Sequence, residues 1–143
     1  MENLFTLLKL IFFLKTILIT PSPITLGSEW VTLKFEEPVK AITGGAAIYV
    51  DVSQYVEGSG FAAERFKAVG DRFPPGVVEG ELITVNGEPI FLKSSGASLG
   101  KDSVWLIVTS DGPLPVGVKF VEVRLRSKDP LEDINVYWKN GQH

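Results

Sequence analysis

The sequence contains no cysteine among its 143 residues. Disulfides, thiolate nucleophiles, cysteine-ligated zinc and lipid attachment to cysteine are therefore excluded. Histidine is nearly absent as well, because the one histidine is His143, the last residue. Chain termini are usually frayed, so we expect neither a serine–histidine–aspartate catalytic site nor a histidine metal site. The sequence predicts a protein without a cofactor.

Positive charge is also scarce, since 14 Lys and Arg residues stand against 17 Asp and Glu residues and the formal net charge is −3. The two local basic clusters, Arg65 to Arg72 and Arg124 to Lys128, contain or adjoin acidic residues that offset them. Binding to nucleic-acid phosphates requires a net basic face. We therefore expect no nucleic-acid partner.

One long apolar run is present, Leu7 to Thr20, and Lys9 and Lys15 interrupt it. Its spacing predicts a helix with a polar seam. From Leu4 to Ile19 that helix would extend about 24 Å, against roughly 30 Å for the hydrocarbon core of a bilayer. A cleaved export signal, an uncleaved membrane anchor and an amphipathic helix of a soluble protein all remain open.

The residues after this run favour the export signal. Pro21-Ser22-Pro23 would stop a helix, and Thr25-Leu26-Gly27 places small residues at the −3 and −1 positions of a cleavage site after Gly27. The predicted domains are thus 1–27, a signal peptide or N-terminal membrane anchor, and 28–143, an extracytoplasmic domain.

The early basic residues predict a cytoplasmic N-terminus. The body of the protein is then periplasmic or secreted, and it is anchored to the inner membrane if the apolar run is retained. Membrane contact would occur only through residues 4–20, and only if they are not removed.

After Gly27 the pattern changes to short alternating segments separated by turn residues, which is typical of an antiparallel all-β domain. The predicted strands are Trp30–Glu36, Ala46–Val52, Gly80–Val85, Glu88–Lys93, Ser103–Thr109, Val118–Ser127 and Ile134–Lys139. Apolar residues at helical spacing predict one short helix over Phe61–Phe73.

The hairpin between the third and fourth of these strands is the clearest local prediction. Asn86-Gly87 supplies the two positive φ angles of a type I′ turn, which would place Ile83 opposite Ile90. About seven or eight short strands at this spacing predict a two-sheet Greek-key sandwich of immunoglobulin-like type, preceded by an N-terminal hydrophobic helix.

Motifs that would carry chemistry are incomplete. Gly96 to Lys101 is one residue short of a phosphate-binding loop and precedes a strand instead of a helix. Ser98 and Lys101 have the spacing of a serine–lysine pair, but we expect them in a glycine-rich hairpin loop. The carboxylates at 129, 132 and 133 fit no calcium loop. We therefore predict no catalytic and no metal site.

Aromatic residues on strands point to binding instead. Trp138 is expected in the core, whereas Trp105 and Tyr137 flank mixed faces that could meet a carbohydrate or a protein. The candidate partner surface combines aromatic and arginine side chains on the sheet of the final hairpin. Its residues are Glu122, Arg124, Arg126 and, on a neighbouring strand, Tyr137.

The predicted function is a non-enzymatic, exported binding or assembly module of the bacterial envelope that acts on a protein partner. One alternative is a periplasmic inhibitor or immunity-type protein that blocks a single partner. The other is a small hydrolase that uses carboxylates. The oligomeric state and the identity of the partner stay open.

Overall fold

The computed structural model describes residues 16–56, 62–100 and 103–140. Within them the chain forms ten β-strands, one α-helix and a short 3-10 turn at Ser53–Tyr55. The strands are β1 Ile17–Leu18, β2 Ile24–Leu26, β3 Val31–Lys40, β4 Ala47–Asp51, β5 Val78–Thr84, β6 Pro89–Leu99, β7 Val104–Thr109, β8 Lys119–Ser127, β9 Leu131–Ile134 and β10 Val136–Lys139. The predicted all-β class is confirmed.

Eight strands form one antiparallel sheet in the order β1-β10-β4-β7-β6-β5-β8-β3, and β2 and β9 form a two-stranded sheet. The large sheet curls so that its ends approach each other. The ring centroid of Trp138 on β10 lies 6.2 Å from that of Phe35 on β3 and 5.9 Å from that of Phe120 on β8. Strand β10, near one end of the sheet, therefore contacts β3 and β8 at the other end, and the two ends enclose one core.

Alternation places one face of each strand in this core. The predicted burial of Trp138 is confirmed, since its side chain is fully enclosed. Burying one aliphatic side chain contributes roughly 1.5 to 3 kcal/mol. Fully buried aliphatic residues come from both halves of the large sheet and from the small sheet: Ile48, Val50, Leu82, Leu92, Val108, Val123, Leu125, Leu131 and Val136.

The helix α1, Ala62–Arg72, forms where its apolar spacing predicted it. Val69 and the adjoining Phe73 pack into the core. At its C-terminus, Arg72 forms an ion pair of 2.7 Å with Asp129 in the loop before β9. No helix within the described ranges has both the length and the hydropathy needed to cross a bilayer.

The folded domain begins before the predicted boundary at Ser28. Strand β1 pairs with β10 and strand β2 pairs with β9, so residues assigned to a signal or anchor are part of the fold. Ile19, Thr20 and Leu26 are buried. Most of the predicted N-terminal helix lies outside the described residues, but at its end Ile17 and Leu18 form a strand instead.

The hairpin between β5 and β6 is present, but the predicted type I′ turn is wrong. Gly87 has a φ of 86°, whereas Asn86 has no positive φ. A positive φ at one position only fits a three-residue loop with a glycine bulge. The loop is one residue longer than predicted, so Ile90 pairs with Leu82 and not with Ile83.

The predicted placement of Ser98 in a glycine-rich hairpin loop is also wrong, because Ser98 lies on a strand. Residues up to Leu99 belong to β6, which pairs with β7 as far as Val104. A shift of register between Ser94 and Gly96 lets the long strand follow the curled sheet.

Candidate functional site

A groove of about 830 Å³ separates the two ends of the large sheet. It is lined by Ile17 to Pro21 on the β1 side and by Thr32 to Glu37 on the β3 side. We call it the edge groove. Both strands are outermost in the sheet, so among the described residues no strand pairs with the groove side of either one.

The sequence of β3 explains why it can be an edge strand. Pro38 has no amide hydrogen to donate, and proline within a sheet is tolerated on edges. Between Lys34, which pairs with Glu122, and Val39, which pairs with Phe120, β3 carries extra residues that leave the ladder. This bulge projects the exposed Glu36 and Glu37 at the groove.

The groove has buried apolar walls, and the charged residues of its lining, Lys34, Glu36 and Glu37, all lie on the β3 side. Ile19 and Phe35 are buried in its walls, and Ile17 and Leu33 pack partly against the core. An unpaired strand edge offers amide and carbonyl groups that another extended chain can pair with. The geometry therefore suits strand addition.

Three of the four predicted partner residues lie together on β8. Arg126 lies 3.6 Å from the carboxylate of Glu79, and Arg124 lies 3.9 Å from that of Glu81, both on the neighbouring β5. Glu122 pairs in register with Lys34 on β3.

Cross-strand neighbours thus alternate in sign, and Lys93 continues the row beyond Glu79. Charges matched in this way are largely satisfied within the surface, and exposed pairs contribute little each. We call this set the charged face: Glu79, Glu81, Lys93, Glu122, Arg124 and Arg126.

Tyr137 does not lie beside these arginines, so its predicted place on a neighbouring strand is wrong. Its strand β10 pairs with β1 and β4, at the other end of the sheet order. The ring of Tyr137 instead stacks on Trp105, with centroids 4.5 Å apart and an angle of 10° between planes. Tyr49 meets the same tryptophan edge-on at 5.9 Å.

These aromatic side chains belong to a row on the outer surface of four adjacent strands. Leu18 pairs with Tyr137, Tyr137 with Tyr49, and Tyr49 with Ile107, so the four side chains point to one side. Trp105 lies on that side in the next row. We call this set the aromatic face: Leu18, Tyr49, Trp105, Ile107 and Tyr137.

The aromatic face shields its polar groups from water. Burial raises the pKa of the Tyr49 hydroxyl above its ordinary value of 10.0. The pKa of Tyr137 is raised by burial and, to a smaller extent, by the carboxylate of Asp51. Lys139 contributes one positive charge, with its Nζ 5.8 Å from the centroid of the Tyr49 ring.

The remaining candidate motifs do not assemble into a site. Ser98 lies on β6 opposite Trp105, and Lys101 lies outside the described residues. The carboxylate of Asp129 binds Arg72, and the Gln54 side chain donates a hydrogen bond to the Asp133 carbonyl oxygen. Among the described residues no three potential metal ligands converge.

No family model, curated protein or solved structure matches this chain. Its function is therefore inferred from its own residues. Sequence reasoning missed the edge groove because that groove depends on which strands are outermost. The one signal that indicated an edge was Pro38, which follows the predicted strand Trp30–Glu36 and lies within the observed β3.

Proposed function

We propose that this protein is a non-enzymatic binding module that accepts an extended segment of a partner protein in the edge groove. The observation that carries the proposal is the pair of strand edges, β1 and β3, that face each other across this groove. An added strand forms main-chain hydrogen bonds that give affinity, and its alternate side chains give specificity. Closing the gap would also remove two exposed edges that otherwise favour aggregation.

The lining defines the chemistry of the partner segment. The β3 side of the groove runs from Thr32 to Glu37, which fits about six residues at roughly 3.4 Å each. Side chains facing Leu33 and Phe35 should be apolar. A lysine or arginine should lie near Glu36 and Glu37, because opposite charges across an interface fix register and discriminate against other partners.

The compartment is part of the same proposal. Cleavage after Gly27 would remove β1, β2 and the buried Leu26, so the fold favours retention of the N-terminal segment. We propose an extracytoplasmic, envelope-associated protein that keeps these residues. N-terminal sequencing and fractionation test this, since a mature start at Ser28 would contradict it.

Three further assignments from the sequence stay predictions. An immunoglobulin-like Greek-key arrangement is the finer form of the observed all-β fold. A periplasmic inhibitor or immunity-type protein would bind a single partner tightly, and it would bind that partner in the same groove. A carboxylate-dependent hydrolase would be established by turnover that a single Asp or Glu substitution abolishes.

The test is a selection of displayed random dodecapeptides on the full chain. We expect the recovered peptides to alternate apolar residues and to carry a basic residue, and we expect the bound peptide to slow amide exchange in β1 and β3. The double variant Glu36→Lys/Glu37→Lys should weaken binding about tenfold or more, because it reverses charge without touching the core.

The matched control is Glu88→Lys, which reverses an exposed charge at the β5–β6 hairpin and should bind as the wild type does. Peptides that bind both variants equally, or that protect amides away from β1 and β3, would overturn the assignment of the groove.

A further inference from the structure

The aromatic face has the chemistry of a surface that meets a boundary between apolar and aqueous phases. Tyr137 and Trp105 are partly exposed over the buried Tyr49, and they present large apolar rings with one polar atom each. Such side chains are enriched where a membrane meets water. Leu18 completes the row with a side chain that is 52% exposed. The neighbouring Lys139 adds a positive charge.

The position of the aromatic face relative to the start of the chain points to the same ligand. Residues 1–15 precede the described part, which enters the sheet at β1. They contain the apolar run Leu4 to Leu14 with Lys9 inside it and Lys15 after it. Since Leu18 comes four positions after Leu14 and pairs with Tyr137, the chain passes from this run into the fold at the rim of the aromatic face.

The fold also limits how this run can meet a bilayer. Because Ile17 and Leu18 pair with β10 and Ile19 is buried, they are not free to extend a span. Even as a complete helix, Leu4 to Leu14 would extend only about 17 Å, well short of the roughly 30 Å hydrocarbon core. An apolar segment of that length with lysines suits the interface better than a span.

We propose that the aromatic face is a membrane-contact surface that lies against the head-group region of an anionic bilayer beside the N-terminal apolar run. Tyr137 and Trp105 enter the interface, and Leu18 lies between them and the run. Lys139 beside this surface, with Lys9 and Lys15 in the preceding sequence, favours anionic lipid, because basic groups near a negatively charged membrane gain electrostatic attraction. This places the edge groove next to the membrane and leaves the charged face toward water.

The test uses the full chain with vesicles of phosphatidylcholine, alone or mixed with phosphatidylglycerol. We expect binding that increases with phosphatidylglycerol. Tyr137→Glu and Leu18→Glu should each lower the partition coefficient about tenfold, because each places a charge against the bilayer. Phe91→Glu is the matched control, since Phe91 is exposed to the same degree, 53%, in the other half of the sheet.

A second measurement separates this surface from the N-terminal run itself. Vesicles of brominated lipid should quench tryptophan fluorescence in the wild type and in Trp30→Phe, and the quenching should be lost in Trp105→Phe. The proposal is overturned if quenching persists in Trp105→Phe, or if Leu18→Glu binds vesicles as the wild type does. The proposal is also overturned if the protein does not bind vesicles and instead forms dimers that Tyr137→Glu dissociates. The ligand of the aromatic face would then be a second copy of this chain.

Discussion

The outer surface of the curled sheet has two halves that share strand alternation but differ in how their side chains find partners. On the charged face, each ionised group has an opposite charge on the adjacent strand, as Arg126 has Glu79 and Arg124 has Glu81. On the aromatic face, Tyr137 and Trp105 contact each other and leave an apolar surface beside the exposed Leu18.

The two faces therefore differ in how much each would gain from contact with a partner. Matched surface charges gain little from another molecule, because binding must first remove their water and break their existing pairs. Apolar rings and unpaired strand edges gain directly from being covered. We therefore assign the charged face to solvent, and we assign the aromatic face and the edge groove to binding.

The largest expected effect is at Trp138, where the two ends of the sheet meet. Trp138→Ala removes the ring that contacts Phe35 and Phe120, and we expect a loss of about 3 to 5 kcal/mol in the free energy of unfolding. Trp30→Ala is the control, because Trp30 is partly exposed and lies 4.3 Å under the Arg126 guanidinium. Its loss should stay below about 1 kcal/mol. Equal losses in urea unfolding would show that the ends share no core.

The next effect concerns the β5–β6 hairpin, whose register places Glu79 opposite Lys93 on the charged face. Gly87→Val should cost about 1 to 2 kcal/mol, because valine resists the φ of 86°. No atom lies within 4 Å of an added Cβ, so the cost comes from the backbone alone. Asn86→Ala should change stability by less than about 0.5 kcal/mol. Equal losses of stability for the two variants in thermal unfolding would mean that both positions have a positive φ, as in a type I′ turn.

Local pattern was sufficient to predict most elements. Alternation located β3, β4, β7 and β8, the spacing of Val69 and Phe73 located the helix, and burial of Trp138 followed from its strand. These features depend on residues close in sequence. Each strand or helix needs only to bury its apolar face, and this requirement is the same whichever strands pack against it.

Features that depend on strand order could not be predicted in the same way. Tyr137 and Arg124 are close in sequence but lie at opposite ends of the sheet order, because β10 pairs with β4 and β1. Ile17 and Leu18 sit in an apolar run with helical spacing, yet pairing with β10 makes them a strand. Non-local pairing overrides local propensity there, and it creates both the edge groove and the aromatic face.

The stability of the protein at alkaline pH tests the burial of the tyrosines on the aromatic face. Since burial raises the pKa of Tyr49 and of Tyr137, the folded state binds these protons more tightly than the unfolded chain does. Their contribution to stability is therefore complete below pH of about 10 and is lost as the pH rises through the raised values. Above pH 10 the urea midpoint of Tyr49→Phe should decline less steeply than that of the wild type. The urea midpoint of the control, Glu81→Gln, should follow the wild type. Parallel curves for Tyr49→Phe and wild type would show that the buried Tyr49 hydroxyl does not cause the loss of stability at high pH.

The smallest effects measure the two faces directly, as coupling energies from two double-mutant cycles. Glu79→Ala with Arg126→Ala should give about 0.2 to 1 kcal/mol, since both groups are partly exposed to water. Trp105→Ala with Tyr137→Ala should give about 0.5 to 1.5 kcal/mol from ring stacking. Raising the salt from about 0.1 to 1 M shortens the screening length from about 10 to 3 Å, so the first coupling should fall while the second persists. A salt-resistant Glu79–Arg126 coupling would mean that the charged face is held in a less aqueous setting than its exposure indicates, and the assignment of that face to solvent would then be wrong.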